Sequence, residues 1–130
     1  MDTSKDYRNM AEKATEIQKM WKHNIGDFYF VILDKIPKAE IVTVRIIYSK
    51  QPIRNGIWLP RQDQLQDIIR EIYYKQVWTS TDSLIAQEFS EHLTSIKLRD
   101  VDASMEMLWL DWTMFLLFGK YWDGNCWTKK

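Results

Sequence analysis

The chain has 130 residues, enough for one ordinary domain that buries most of its apolar surface without staples. Its 18 basic and 18 acidic side chains cancel, so no global field draws it onto nucleic acid and no acidic surface imitates DNA. The lone Cys126 excludes an intramolecular disulfide and fits a reducing compartment. A charged stretch from Met1 to Lys19 does not read as a secretory signal, and no apolar run is long enough to span a bilayer. The expectation is a soluble, cytoplasmic protein of one domain, residues 1–130, with no membrane partner and no strong nucleic-acid signal.

Tyr7, Met10, Ala11, Ala14, Ile17 and Met20 recur at helical spacing, which predicts a first helix over 5–20 that Asn24 and Gly26 end. Asp27 introduces Phe28–Leu33, an aromatic and β-branched run that reads as a strand, with a turn at Pro37. Ile41–Tyr48 alternates as a second strand, with Val42, Val44, Ile46 and Tyr48 facing inward and Thr43 and Arg45 outward. Pro52 and Asn55-Gly56 break it, and Ile57-Trp58-Leu59 is a short third strand.

Pro60 stands where a helix can begin, and Leu65, Ile68, Ile69 and Ile72 give the next segment its apolar stripe. A linker near Thr79–Asp82 ends in a capping signal at Thr81 or Asp82. The third helix, about 83–98, should bury Leu84, Ile85, Phe89, Leu93 and Ile96. A fourth helix begins near Asp102 or Ser104 and stops at Gly119, where a C-cap belongs. The tail closes with Asp123-Gly124 between aromatic residues, a tight-turn signal. The expected fold is α+β: a small antiparallel sheet of about three strands packed by about four helices.

The fourth helix is the unusual one. Eleven of its fourteen residues from Met105 to Phe118 are apolar. Met105, Leu108, Trp109, Trp112, Phe115 and Leu116 form one face, and Met107, Leu110, Met114, Leu117 and Phe118 another. Only a narrow strip through Glu106 and Thr113 is polar. A helix apolar nearly all round is central to its domain or has a second partner. On the second reading Met107, Leu110, Met114 and Phe118 are the interface of a homodimer.

Residues that carry chemistry are sparse. His23 and His92 stand apart, with no further ligand at metal spacing, so no metal site is expected. No Gly-x-Ser-x-Gly elbow or Cys/His frame appears, and four glycines make no phosphate-cradling loop. No catalytic residue and no cofactor is therefore expected. Asp111 is the exception to follow. Among apolar neighbours its carboxylate must be paired, with Arg45, Arg61, Arg70 or a Trp N–H, or be exposed at a site. Arg61, Gln62, Asp63 and Gln64 follow Trp58 at a helix N-terminus, where free N–H groups can meet an anion or a base edge. The alternative is ordinary capping, with Asp63 complementing the helix dipole. Seven Trp residues either fill the core or line a groove, with Trp58, Trp109, Trp122 and Trp127 the binding candidates beside Asp111 and Asp123.

The phrase Trp58-Leu59-Pro60-Arg61-Gln62, followed by Leu108-Trp109-Leu110 and then Gly119-Lys120-Tyr121-Trp122-Asp123-Gly124, resembles small proteins encoded by phages and prophages of Gram-positive bacteria. The similarity extends to Glu16-Ile17-Gln18 and the Gly26-Asp27-aromatic strand, in order over most of the chain. The resemblance implies a bacteriophage accessory protein acting in the host cytoplasm, and implies no mechanism. With no catalytic apparatus, the expectation is a non-enzymatic binder of a host component. Two modes fit an anti-defence inhibitor: occlusion of a host defence protein, as an anti-CRISPR does, or sequestration of a nucleotide signal. The alternative is a structural or replication-associated phage protein that assembles through helix 105–118.

Overall fold

A computed structural model of the chain describes residues 1–36, 39–76, 81–95 and 102–129. The fold is α+β, with five helices, a three-stranded antiparallel sheet and a two-stranded one among those residues. They group into two compact units, Asp2–Arg61 and Gln62–Lys130, Met1 belonging with the second.

The first unit begins with α1 (Lys5–Lys13), whose N-terminus is capped by the Ser4 hydroxyl accepting from the Tyr7 N–H at 3.2 Å. The single helix expected over 5–20 breaks at Ala14, which leaves helical geometry at φ −81°, ψ 66°, and resumes as α2 (Thr15–Lys19). Tyr7, Met10, Ala11, Ala14 and Ile17 are fully buried as the stripe predicts, but the break turns Met20 out to solvent.

The sheet has the order β2-β1-β3, with β1 at Phe28–Ile36, β2 at Ala39–Ile46 and β3 at Ile57–Leu59. β1 runs further than the expected 28–33, and an irregularity between Ile32 and Asp34 shifts the register and leaves Leu33 exposed. The face carrying Phe30 and Leu59 is buried, and Val42, Val44 and Ile46 share it by register with β1. Tyr48 does not join them. The strand ends at Ile46, Ile47 closes it by exchanging backbone bonds of 2.9 Å with Gly26 and Asp27, and Tyr48 lies beyond, 82% exposed. The side chain of Ile47 is buried. The helix expected from Pro60 starts two residues later, because the Pro60 carbonyl is buried and accepts the Tyr7 hydroxyl at 2.6 Å.

The second unit is built on α3 (Gln62–Gln76), α4 (Thr81–Ser95) and α5 (Met105–Phe118), followed by the hairpin of β4 (Lys120–Trp122) and β5 (Trp127–Lys129). α5 touches α3, α4 and β4. Its ends are as the sequence predicts: Ser104 Oγ accepts the Met107 N–H, and Gly119 takes the left-handed conformation at φ 65°. Thr113, expected on a polar strip, is fully buried and donates to the Trp109 carbonyl at 2.7 Å, so its hydroxyl is satisfied inside its own helix. Leu65, Ile69 and Tyr73 on α3 and Ile85, Phe89 and His92 on α4 are buried, while Leu84 and Leu93 are half-buried. Pro37, the linker residues Thr79 and Ser80, the side chains of Thr81 and Asp82, and the helix end at 96–98 with Ile96 lie outside the described residues.

Candidate functional site

In the second unit, Asp111 is 1% exposed, and among the described residues its partners are not Arg45, Arg61 or Arg70. Oδ2 lies 2.8 Å from His92 Nε2, and Oδ1 accepts the backbone N–H of Trp122 at 2.9 Å. One carboxylate therefore ties α5 to α4 and to the start of the hairpin. His92 is the member that sequence spacing missed, nineteen residues away and on another helix. Trp122 is buried and meets Trp127 edge-on, ring centroids 5.1 Å apart. Asp123 is exposed and organises the turn. The backbone N–H groups of Cys126 and Asn125, then the Cys126 thiol and the Thr128 hydroxyl, all donate to it and hold its carboxyl far below the usual carboxylate range.

Trp109 stacks on Phe89 at 4.1 Å and 17°, is 5% exposed, and its indole N–H has no acceptor. Both rings line a groove of about 330 Å³ whose opposite wall is the α3 stripe of Gln62, Gln66 and Arg70. Arg70 is already engaged by Asp67 at 2.8 Å. Gln64 is half-buried and Asp63 exposed in the first turn of α3, and both have further interactions. Met107, Leu110 and Met114, expected at a dimer interface, are buried within one chain, and Phe118 is half-buried.

The first unit offers more. Arg61 donates to the Gly26 carbonyl at 3.0 Å and lies 3.6 Å from Asp27, so it braces the turn before β1. Trp58 is buried on the sheet face opposite Phe30 and Leu59. By register, Arg45, Tyr29 and Trp58 stand side by side across β2, β1 and β3 on that face. Beside them is a groove of about 610 Å³, lined by Tyr29, Arg45, Tyr48, Gln51, Pro52 and Arg54 among others, with no carboxylate in its wall. Gly56 holds the loop against the floor. A Cβ there would stand 2.6 Å from Ile53 Cγ2 and 2.9 Å from Tyr29 Cδ2.

Its electrostatics are one-sided. No Asp or Glu occurs between Glu40 and Asp63, while Arg45, Lys50, Arg54 and Arg61 do. Among the described residues neither Arg45 nor Arg54 forms an ion pair, and both are exposed. The neutral total thus conceals a local cationic surface. The acid-free stretch was visible in the sequence; that Tyr29 and Tyr48 flank its two free arginines was not.

Such a surface is suited to binding an anion beside a flat ring. Guanidinium groups hold phosphate or carboxylate oxygens in a fork, and tyrosine rings offer flat apolar contact. Among the described residues, no three His, Cys, Asp or Glu side chains come together to hold a metal ion, and no helix is long and apolar enough to cross a membrane. The chain matches no family model, no curated protein and no solved structure.

Proposed function

We propose that the protein is non-enzymatic and works by binding, and that its ligand has the chemistry of a nucleotide, an anionic phosphate beside a flat base. One observation carries this reading: exposed Arg45 and Arg54 flank Tyr29 and Tyr48 in a groove without a carboxylate. An unpaired arginine is free to take a phosphate without first breaking a salt bridge, and an exposed ring can stack on a base. In the phage setting implied by the Trp-Leu-Pro-Arg and Trp-Asp-Gly resemblance, the protein is an accessory factor that withholds a nucleotide-bearing host component in the host cytoplasm. Occlusion of a host defence protein has less support, because the α-helical groove is the smaller of the two described and the arginine in its lining is engaged by Asp67. Assembly through helix 105–118 has less again, since Met107, Leu110 and Met114 are buried in the single chain.

The test is fluorescence anisotropy with a labelled oligothymidylate of about ten nucleotides, and with free mononucleotides as competitors. Wild type is expected to bind, and R45A and R54A each to bind roughly tenfold more weakly, with a shallower dependence on salt. Failure of every nucleotide-bearing probe, or binding indifferent to both arginines, overturns the reading.

A further inference from the structure

We infer that the ligand is a single nucleic-acid strand laid along the groove beside Tyr29 and Arg45 on β1 and β2, an inference that rests on the nucleotide reading above. Outside the groove, ring contacts continue from Tyr29. Trp21 lies 6.0 Å from Tyr29 and stands parallel to Trp58, 2° apart in plane at 6.1 Å. His23 in turn packs on Trp21 with ring centroids 4.0 Å apart and is itself exposed. Tyr48, Tyr29, Trp21 and His23 thus form a succession of rings leading from the groove toward the segment before β1.

Cations accompany the succession along its length. Arg45 and Arg54 stand at the groove end, and exposed Lys19 and Lys22 flank Trp21 in sequence. The Asp27 carboxylate beside Trp21 is withdrawn: it is 2% exposed, accepts the Trp21 indole N–H at 3.0 Å and lies 3.6 Å from Arg61. That bond also fixes the Trp21 ring, so the platform is formed before any ligand arrives.

Two features favour a strand over a free nucleotide. A small-ligand site encloses most of its ligand, typically about 70–90% of the surface. Here Tyr48, which lines the groove, is 82% exposed. Rings repeated at short intervals beside cations suit a polymer whose bases and phosphates alternate in the same way, and stacking of this kind tolerates any base. Duplex DNA keeps its bases stacked on one another and cannot use the rings.

The experiment is an affinity series over oligothymidylates from one to about eight nucleotides, with wild type, K22A, H23A and R54A. Wild-type affinity should climb with length and level off at roughly four nucleotides. K22A and H23A, both at exposed positions, should remove most of the gain from the longer oligomers, about tenfold, whereas R54A should weaken every length. Thymidine monophosphate bound as tightly as the octamer, or a duplex bound as tightly as the strand, overturns the inference and leaves the nucleotide reading standing. No binding at any length removes both.

Discussion

Gln18 completes the outer edge of β3. Its Oε1 accepts the Trp58 N–H at 2.8 Å and its Nε2 donates to the Trp58 carbonyl at 2.9 Å, so one side chain supplies the two bonds that a fourth strand would make. Nε2 also donates to the Ala11 carbonyl at 3.0 Å, linking α1 and α2 to the sheet. Trp58, and through it the row of Tyr29 and Arg45, is held by this carboxamide.

Replacing Gln18 with Ala should therefore leave both backbone groups of Trp58 unpaired and cost about 1–3 kcal/mol. Gln18→Glu keeps the acceptor but sets a carboxylate against two carbonyl oxygens, and should be at least as damaging. Urea unfolding, read as a shift in midpoint at constant slope, measures both.

The Asp111 carboxylate predicts a graded series in the second unit. Asp111→Ala leaves His92 Nε2 and the Trp122 N–H without a partner inside the protein, at a cost of about 3–5 kcal/mol. Asp111→Asn keeps one acceptor for Trp122, and a change of imidazole tautomer lets His92 accept from the new amide, so its cost should be smaller. Equal losses for Ala and Asn would show that the amide restores neither bond, and a loss below about 1 kcal/mol for Ala would show that the two bonds contribute little. Chemical denaturation gives the energies, and the Trp122 amide resonance reports whether its bond survives.

Helix 105–118 separates core from interface by a charge. Met114→Glu places a carboxylate at a fully buried position and should unfold the second unit, at more than about 3 kcal/mol. Met105→Glu, at a 43% exposed position in the first turn, should be tolerated. Size-exclusion chromatography with circular dichroism decides: a folded monomer from Met114→Glu would instead make that face an interface.

The hairpin should outlast acid. The carboxyl of Asp123 titrates lower in the folded chain than the roughly 3.9 of an unfolded Asp, so its contribution is complete above that value. It fades only as pH falls through the depressed folded value. Amide resonances of Asn125 and Cys126 should hold their positions through the range where ordinary carboxylates titrate, and Asp123→Asn should move both at neutral pH.

Gly56 offers a test that leaves the arginines in place. Gly56→Ala must displace Ile53 or the Tyr29 ring, and should weaken oligonucleotide binding by shifting the groove floor. Tyr48→Ala, at an exposed position, should weaken binding with stability changed by no more than about 0.5 kcal/mol. The same anisotropy assay and a thermal melt read both.

Features specified by neighbours in the chain were legible before the fold was known. Helix 105–118 could be bounded because Ser104 and Gly119 carry their signals locally, and strand 57–59 because a turn dipeptide and a proline enclose it. The break at Ala14 carries no such signal: alanine is the best helix former, and tertiary contacts impose its geometry. Tyr48 was placed inward because alternation was extended past a strand end that Gly26 and Asp27 determine from elsewhere in the chain. For the same reason helical periodicity could mark Asp111 as anomalous but could not supply His92. The proposed binding groove was half visible: its arginines lie in one acid-free run, whereas Trp21, Tyr29 and Tyr48 are distant in sequence and only the fold brings them together.

The bond from the Tyr7 hydroxyl to the Pro60 carbonyl spans 53 residues and joins the beginning of the first unit to its end. Topologically, the stretch 2–61 is a closed circuit whose two ends are neighbours. A unit of this kind can be grafted into a surface loop of another protein, or moved within a gene, without parting its ends. The binding surface proposed here lies wholly inside that circuit and would travel with it.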